Sequence, residues 1–141
     1  MGRKRAAADL DIHVGAHKSF EWYWNGADEM PGLDVYEGLD AAERAGVLAA
    51  FEHWGNVAPG SHPLESRVNE ENERPPILAA KAGSHRFPAF HAGNDVWIVT
   101  GYYKKEGRRL DKSGKREIQR ALRALRDYEK RVSEGVYYER N

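Results

Sequence analysis

Basic, imidazole and phenol side chains are concentrated between residues 81 and 105, and together these types can cleave RNA without a metal. A base removes the proton of a ribose 2′-hydroxyl, cations stabilise the charge that grows on the phosphate, and an acid protonates the leaving 5′-oxygen. Tyrosine rings also stack on unpaired bases. Such residues at strand ends are commonly only structural, so the pattern alone leaves both interpretations open. The set is Lys81, His85, Arg86, Tyr102, Tyr103, Lys104 and Lys105.

The sequence offers few residues for metal binding, nucleophilic catalysis or cofactor binding. The chain has no cysteine, which excludes disulfides, thiolate metal sites and a cysteine nucleophile. His13 and His17 stand four apart, but the pattern around them alternates as in a strand and carries no suitably placed Glu. His85 and His91 flank a predicted turn and could lie across from each other. No phosphate-binding glycine loop or Ser-His-Asp pattern is present, so we expect no metal and no cofactor.

A net charge of zero conceals a strong asymmetry along the chain. Residues 6–75 carry 14 acidic side chains against 4 Lys/Arg, whereas residues 101–131 carry 12 Lys/Arg against 5 acidic ones. The two segments therefore have net charges of −10 and +7. The basic end could bind RNA or DNA, bind an acidic partner, or pair with the acidic half of its own chain.

The elements that must position these residues begin with a hairpin. Two extended segments surround Ala92-Gly93-Asn94, and the second contains the apolar run Val96-Trp97-Ile98-Val99 before the Tyr/Lys cluster. Residues 77–81 form a preceding strand, and the aromatic alternation at residues 20–24 predicts another. We expect a small antiparallel sheet of three or four strands.

Helices are predicted on both sides of this hairpin in the sequence. Asp40 is a good N-cap for a helix over residues 41–54, and Glu43 completes a capping box. A short helix at residues 31–39 is weakly indicated. After an N-cap at Ser113, a long basic helix has one apolar face, with its arginines mostly off that face. Residues 57–76 are turn-rich and acidic, so we predict a surface excursion there.

Length and terminal patterns suggest one domain in a chain of 141 residues. We predict a disordered leader at residues 1–8, a domain over residues 9–134 and a tail at residues 135–141. The basic N-terminus has no apolar stretch after it, unlike a secretory signal. No apolar run approaches the roughly 18–20 residues of a membrane helix, so we expect a cytoplasmic protein that does not bind membranes.

Three segments occur in an order found in one known family. They are Arg86-Phe87-Pro88-Ala89-Phe90, then Val96-Trp97-Ile98-Val99-Thr100-Gly101-Tyr102-Tyr103-Lys104-Lys105, then Glu117-Ile118-Gln119-Arg120-Ala121. Over residues 77–131 the chain thereby resembles RelE/HigB-type toxins of type II toxin–antitoxin modules, in the phage-derived host-inhibition branch. Residues 20–55 are similar only in the order of a strand and helices.

The resemblance implies an α+β fold in which a small twisted antiparallel sheet packs against N-terminal helices and a long C-terminal basic helix. It also implies a metal-independent mRNA endoribonuclease that acts on the translating ribosome and is neutralised by a cognate antitoxin. Arg86 matches the family's strand arginine and Lys104-Lys105 its terminal lysine pair, all of which could contact phosphate, and Tyr103 matches an aromatic position that could stack on a base.

We therefore predict two groups of site residues. The catalytic group is Arg86, His85, Tyr103 and Lys104, and the RNA-binding group is Lys81, Tyr102, Lys105, Arg108 and Arg109. Expected partners are the antitoxin, mRNA and the ribosome, and a homodimer is compatible with the sequence. The alternative hypothesis is a non-catalytic RNA- or protein-binding module, such as a degenerate toxin or a prophage regulatory protein.

Overall fold

The structure, a computed structural model, describes residues 7–27, 29–107 and 111–138 and places helices on both faces of a β-sheet. The predicted α+β class is confirmed. In chain order the elements are α1 (Ala7–Leu10), β1 (Asp11–Val14), β2 (Ser19–Trp22), α2 (Pro31–Gly38), α3 (Ala41–Gly55), β3 (Val68–Asn72), β4 (Ile77–Ala82), β5 (His85–Gly93), β6 (Val96–Val99), β7 (Tyr103–Lys104) and α4 (Lys112–Ser133).

The sheet is mixed and has seven strands, so the prediction of an antiparallel sheet of three or four strands was wrong in strand direction and in strand number. Its strand order is β1-β2-β6-β5-β4-β3, with β7 paired to β5, and β2 runs parallel to β6. The other strand pairs are antiparallel. Strands β2 and β6 are central and almost wholly buried, as is usual where strands run parallel. Their pairing joins distant parts of the sequence, which local patterns do not reveal.

The acidic segment contains an edge strand that we did not predict. Within residues 57–76, β3 pairs with β4 and buries only Val68 completely. Charged side chains are typical of edge strands, because they discourage pairing with other chains. The acidic residues at positions 70 and 71 therefore concealed a strand that local composition suggested was a loop.

One face of the sheet is covered by α2 and α3. The predicted capping box at the start of α3 is confirmed: the Glu43 amide donates to the Asp40 carboxylate at 2.7 Å, and the Asp40 amide donates to the Glu43 carboxylate at 3.0 Å. Helix α3 packs Phe51 and Trp54 on Phe20, with ring centroids 5.0 and 4.7 Å apart. These rings form the core on this side.

The other face is covered by α4 and the chain that follows it. The N-cap of α4 is Asp111, which accepts from the Gly114 amide at 2.9 Å, rather than the predicted Ser113. Tyr128 packs its ring edge against Phe90, with centroids 5.4 Å apart. In the predicted tail, Tyr137 is wholly buried. The tail over residues 135–138 thus closes the core on this face.

The terminal predictions are covered only in part. Residues 7 and 8 of the predicted leader belong to α1, and residues 1–6 and 139–141 lie outside the described residues. Across the described ranges, we find no helix with the length and apolar character that spanning a membrane requires.

Two glycines join the β1–β2 turn to the end of α3. A Cβ atom on Gly15 would lie 2.6 Å from the Gly55 carbonyl oxygen, and that oxygen accepts from the amides of His17 and Lys18 at 2.9 and 3.0 Å. The atoms that this Cβ would meet belong to the Gly55 backbone, which cannot move aside as a flexible side chain could. Only a residue without a Cβ atom fits at position 15.

We expect Gly15→Ala to lower the free energy of unfolding by about 1–3 kcal/mol, the usual cost of overpacking. Gly38→Ala is the matched control, because its Cβ would meet nothing within 4 Å at the end of α2. It should leave stability unchanged or raise it by up to about 1 kcal/mol. Urea unfolding followed by circular dichroism measures both variants, and equal stabilities would contradict the contact.

Candidate functional site

Strand β5 places its two adjacent candidate residues on opposite faces of the sheet. Arg86 pairs with Lys81 on β4 and with Tyr103 on β7, whereas His85 pairs with Lys104. Directly opposed residues share a face, and successive residues alternate. The predicted set is therefore divided into two groups. We call them the His85 cluster (Glu43, His85, Tyr102 and Lys104) and the Arg86 cluster (Glu71, Lys81, Arg86 and Tyr103).

In the His85 cluster an imidazole is held between a carboxylate and a phenol. His85 Nε2 lies 2.7 Å from Glu43 Oε2, and its Nδ1 lies 2.6 Å from the Tyr102 hydroxyl. Burial and the nearby Glu43 carboxylate raise the pKa of Tyr102, so this phenol keeps its proton. The Tyr102 O–H donates to Nδ1 in the tautomer of His85 whose Nε2–H donates to Glu43.

Glu43 connects this cluster to the start of α3. One of its carboxylate oxygens accepts from the Asp40 amide and the other from His85. The Asp40 amide first, and then His85, hold the pKa of Glu43 below its ordinary value. The capping box thus fixes the carboxylate that in turn orients the imidazole.

Two members of the cluster, Glu43 and His85, border a cavity of about 450 Å³ between α3 and the β4–β5 turn. Arg67 and Ser84 join Glu43 and His85 in its wall, so an arginine and a histidine line the same cavity. Lys104 is exposed directly across the strand pair from His85. A carboxylate, an imidazole and a phenol in series can move a proton, and the two cations can hold an anion.

The sequence did not reveal two members of this wall. Glu43 was identified only as a capping residue, and Arg67 lies in the acidic segment that we predicted to be a surface excursion. The capping box at residues 40–43 was the only available signal, and it does not show which way the second carboxylate oxygen points. Glu43 contacts His85 and Arg67 lines the same cavity only through tertiary packing.

Arg86 is a structural residue in this fold. Arg86 is only 8% exposed. Its Nη1 donates to the carbonyl oxygens of Gly83 at 2.6 Å and of His85 at 3.0 Å. The guanidinium therefore ties down the turn between β4 and β5. The predicted contact of Arg86 with a substrate phosphate does not fit this burial.

Tyr103 and Lys81 are also engaged within the protein. Tyr103 is 2% exposed and its hydroxyl donates to the Glu71 carboxylate, so no base can stack on its ring as predicted. Burial, followed by this hydrogen bond, raises the pKa of Tyr103 well above its ordinary value. Lys81 Nζ donates to the Glu65 carbonyl oxygen at 2.6 Å. Partial burial and then the cations Arg86 and Lys105 lower the pKa of Lys81.

The remaining predicted RNA-binding residues differ in what can be said of them. Lys105 is half-buried, and its amide donates to the Ser84 carbonyl oxygen at 2.8 Å. Arg108 and Arg109 lie outside the described residues. Within the described ranges, no group of three or more His, Asp or Glu side chains could hold a metal ion.

A larger cavity of about 620 Å³ lies where the parallel strands β2 and β6 end. Two contacts hold polar side chains in its wall: Arg120 pairs with Glu117 at 2.9 Å, and Asp127 accepts from the Tyr23 hydroxyl. The smaller cavity has the better chemistry, because only there does an imidazole meet both a carboxylate and a phenol. Comparison of the sequence with protein-family models and with curated proteins gives no significant match.

We expect Arg86→Ala to act on stability rather than on RNA affinity. It leaves two carbonyl oxygens without their donor and should lower the free energy of unfolding by about 1–3 kcal/mol. Lys104→Ala removes an exposed cation of the same segment and should change stability by no more than about 0.5 kcal/mol. Chemical denaturation of both variants tests this, and a fully stable Arg86→Ala protein would contradict a structural role.

The lowered pKa of Glu43 predicts a titration that depends on His85. A carboxyl group with a depressed folded-state pKa stabilises the fold above its unfolded pKa, and this contribution is lost as pH falls through the folded value. In ¹³C NMR the Glu43 carboxyl should titrate below its ordinary value of 4.5. In His85→Ala the midpoint should rise towards that value but stay below it, since the Asp40 amide remains. A wild-type midpoint at or above 4.5 would refute the contact.

Proposed function

We propose that this protein is a metal-independent endoribonuclease of the RelE/HigB toxin type, with the His85 cluster as its reacting centre. The observation that carries the proposal is the imidazole held between Glu43 and Tyr102 at the wall of a cavity that also contains Arg67. The RelE-like character of the fold and the toxin role rest on the resemblance of residues 77–131.

In the proposed reaction, the cluster acts as a proton relay from the substrate through Tyr102 to His85. The Tyr102 oxygen takes the proton of the ribose 2′-hydroxyl while Tyr102 passes its own proton to His85 Nδ1. Glu43 stabilises the imidazolium that forms. The 2′-oxygen attacks phosphorus, the bond to the 5′-oxygen breaks, and the leaving oxygen takes a proton from the Lys104 ammonium. The products are a 2′,3′-cyclic phosphate and a free 5′-hydroxyl.

Cations complete this scheme. Charge grows on the non-bridging phosphate oxygens during attack, and preorganised cations at that point are a major source of rate enhancement. Arg67 lines the cavity and Lys104 stands across from His85. The proposed biological setting is translation inhibition in the cytoplasm, with mRNA on the ribosome as substrate and a cognate antitoxin as inhibitor.

A second candidate is a non-catalytic RNA- or protein-binding module. It is favoured by the burial of Arg86 and Tyr103, which leaves half of the predicted catalytic set with structural contacts. In this case the His85 cluster only fastens α3 to the sheet. The two candidates differ in whether RNA is cut and in whether growth stops when the protein is expressed alone.

We expect expression of the wild-type protein to arrest growth. The purified protein should cut mRNA in the presence of EDTA and leave 2′,3′-cyclic phosphate ends. His85→Ala should cut roughly 10²–10⁴-fold more slowly, the usual contribution of acid–base catalysis. Tyr102→Phe should show a similar loss, because it keeps the ring but removes the transferable proton. Primer extension on induced cells and cleavage of a purified transcript measure the effect.

The matched control is His62→Ala, which removes an exposed histidine outside the cluster. It should cut RNA and arrest growth as the wild type does. Cleavage by folded His85→Ala at the wild-type rate would reject the site. A wild-type protein that neither arrests growth nor cuts RNA would favour the binding module.

A further inference from the structure

The exposed side of α4 is a continuous cationic face. It contains the exposed side chains of Lys112, Lys115, Arg116, Arg120, Arg123, Arg126 and Lys130, and Glu129 is the one exposed acidic residue of this helix. At 3.6 residues per turn these cations fall within an arc of about 140°, opposite the buried stripe. They extend over 19 residues, and the 18 steps from the first to the last span about 27 Å of helix.

Helix stability does not explain this face. Cations spaced three or four residues apart repel, as between Lys112 and Arg116 or between Arg120 and Arg123, and each such pair costs about 0.2–0.5 kcal/mol. The first turn of α4 contains no acidic residue. Cations near a helix N-terminus also oppose the helix dipole.

The rest of the protein offers few ion pairs to the face, although Arg120 and Arg123 line the cavity of about 620 Å³ together with Glu29 and Asp34. Within the described ranges, Arg120 is its one member with a carboxylate partner, Glu117 at 2.9 Å. Arg131 pairs with Asp127 at 2.6 Å, but it is half-buried and lies outside the face. The excess negative charge of residues 6–75 therefore does not cancel the positive charge of α4 through ion pairs.

We propose that the cationic face of α4 binds the phosphate backbone of an RNA duplex, at a surface separate from the cleavage cavity. Seven cations over about 27 Å give about one per 4 Å, near the roughly 3.4 Å rise per phosphate along one strand of a DNA duplex, so the spacing fits the phosphates of a duplex and does not distinguish RNA from DNA. Four of the seven are arginines, whose planar guanidinium suits bidentate contact with phosphate. A straight helix matches the regular phosphate line of a duplex better than a flexible single strand.

This surface lies mainly on the opposite side of the sheet from the His85 cluster, and the two adjoin where Glu117 of α4 accepts from the Tyr102 amide at 3.3 Å. Helix α4 packs on Phe90, which lies on the Arg86 side of β5, whereas Glu43 and α3 lie on the His85 side. The duplex contact is thus a docking contact on one side of the sheet, and single-stranded RNA would enter the cavity on the other. The choice of RNA rests on the proposed function, and the phosphate contact rests on charge and spacing.

The test measures binding in a His85→Ala background, so that cleavage does not interfere. The probe is a fluorescein-labelled RNA hairpin with a stem of about 12 base pairs, followed by anisotropy across a salt series. Arg116→Gln/Arg123→Gln/Lys130→Gln should weaken binding about tenfold or more, and the slope of log K against log salt should fall by roughly two to three units. The single variant Arg123→Gln should weaken binding, whereas Arg74→Gln, an exposed arginine off the face, should not.

Cleavage separates this proposal from the proposed function. With His85 intact, the triple variant should cut a single-stranded oligonucleotide of about five nucleotides at the wild-type rate, whereas His85→Ala should fail to cut it but still bind the hairpin. Wild-type hairpin affinity in the folded triple variant would overturn the proposal. So would displacement of the hairpin by polyglutamate at equal charge, or equal affinity for a DNA duplex. If the triple variant does not fold, the hairpin affinities of Arg123→Gln and Arg74→Gln are compared instead, and equal affinities would overturn the proposal.

Discussion

Strand β5 constrains the functional part of the molecule because it pairs with β4 on one side and with both β6 and β7 on the other. Paired along both edges, it cannot shift by one residue without exchanging the side chains that face α3 with those that face α4, including Phe87 with Phe90. This fixed register directs His85 towards α3 and Arg86 to the opposite side. The direction of each side chain then decides its role: an imidazole at a cavity wall and a guanidinium that holds a turn.

The His85 cluster depends on local order in α3 as much as on the sheet. Glu43 caps the helix with one oxygen and holds His85 with the other. A carboxylate fixed in this way loses little further side-chain freedom when it orients the imidazole, so the cost of ordering is shared between folding and the site. Conversely, a proton on Glu43 would weaken the helix cap and release the imidazole together.

What could be predicted from the sequence was local. The capping box at Asp40 and Glu43 and the apolar face of α4 depend on neighbours within one or two turns. The parallel pairing of β2 with β6, the strand hidden among the acidic residues and the approach of Glu43 to His85 depend on contacts between distant residues. Adjacent positions such as His85 and Arg86 looked like one site because sequence proximity was read without the alternation of a strand, which separates neighbours onto opposite faces.

The acidic half of the chain explains which cations remain available to a polyanion. Lys81 donates to the Glu65 carbonyl oxygen, and Tyr103 in the Arg86 cluster donates to Glu71, so the segment around β3 lies against that cluster. The carboxylates of Glu65 and Glu71 act on the Lys81 ammonium and partly offset its cationic neighbours. The His85 cluster and α4 lie outside this contact. Exposed positive charge is therefore concentrated at Lys104 and along α4, on opposite faces of the sheet, which favours two separate RNA contacts over one continuous groove.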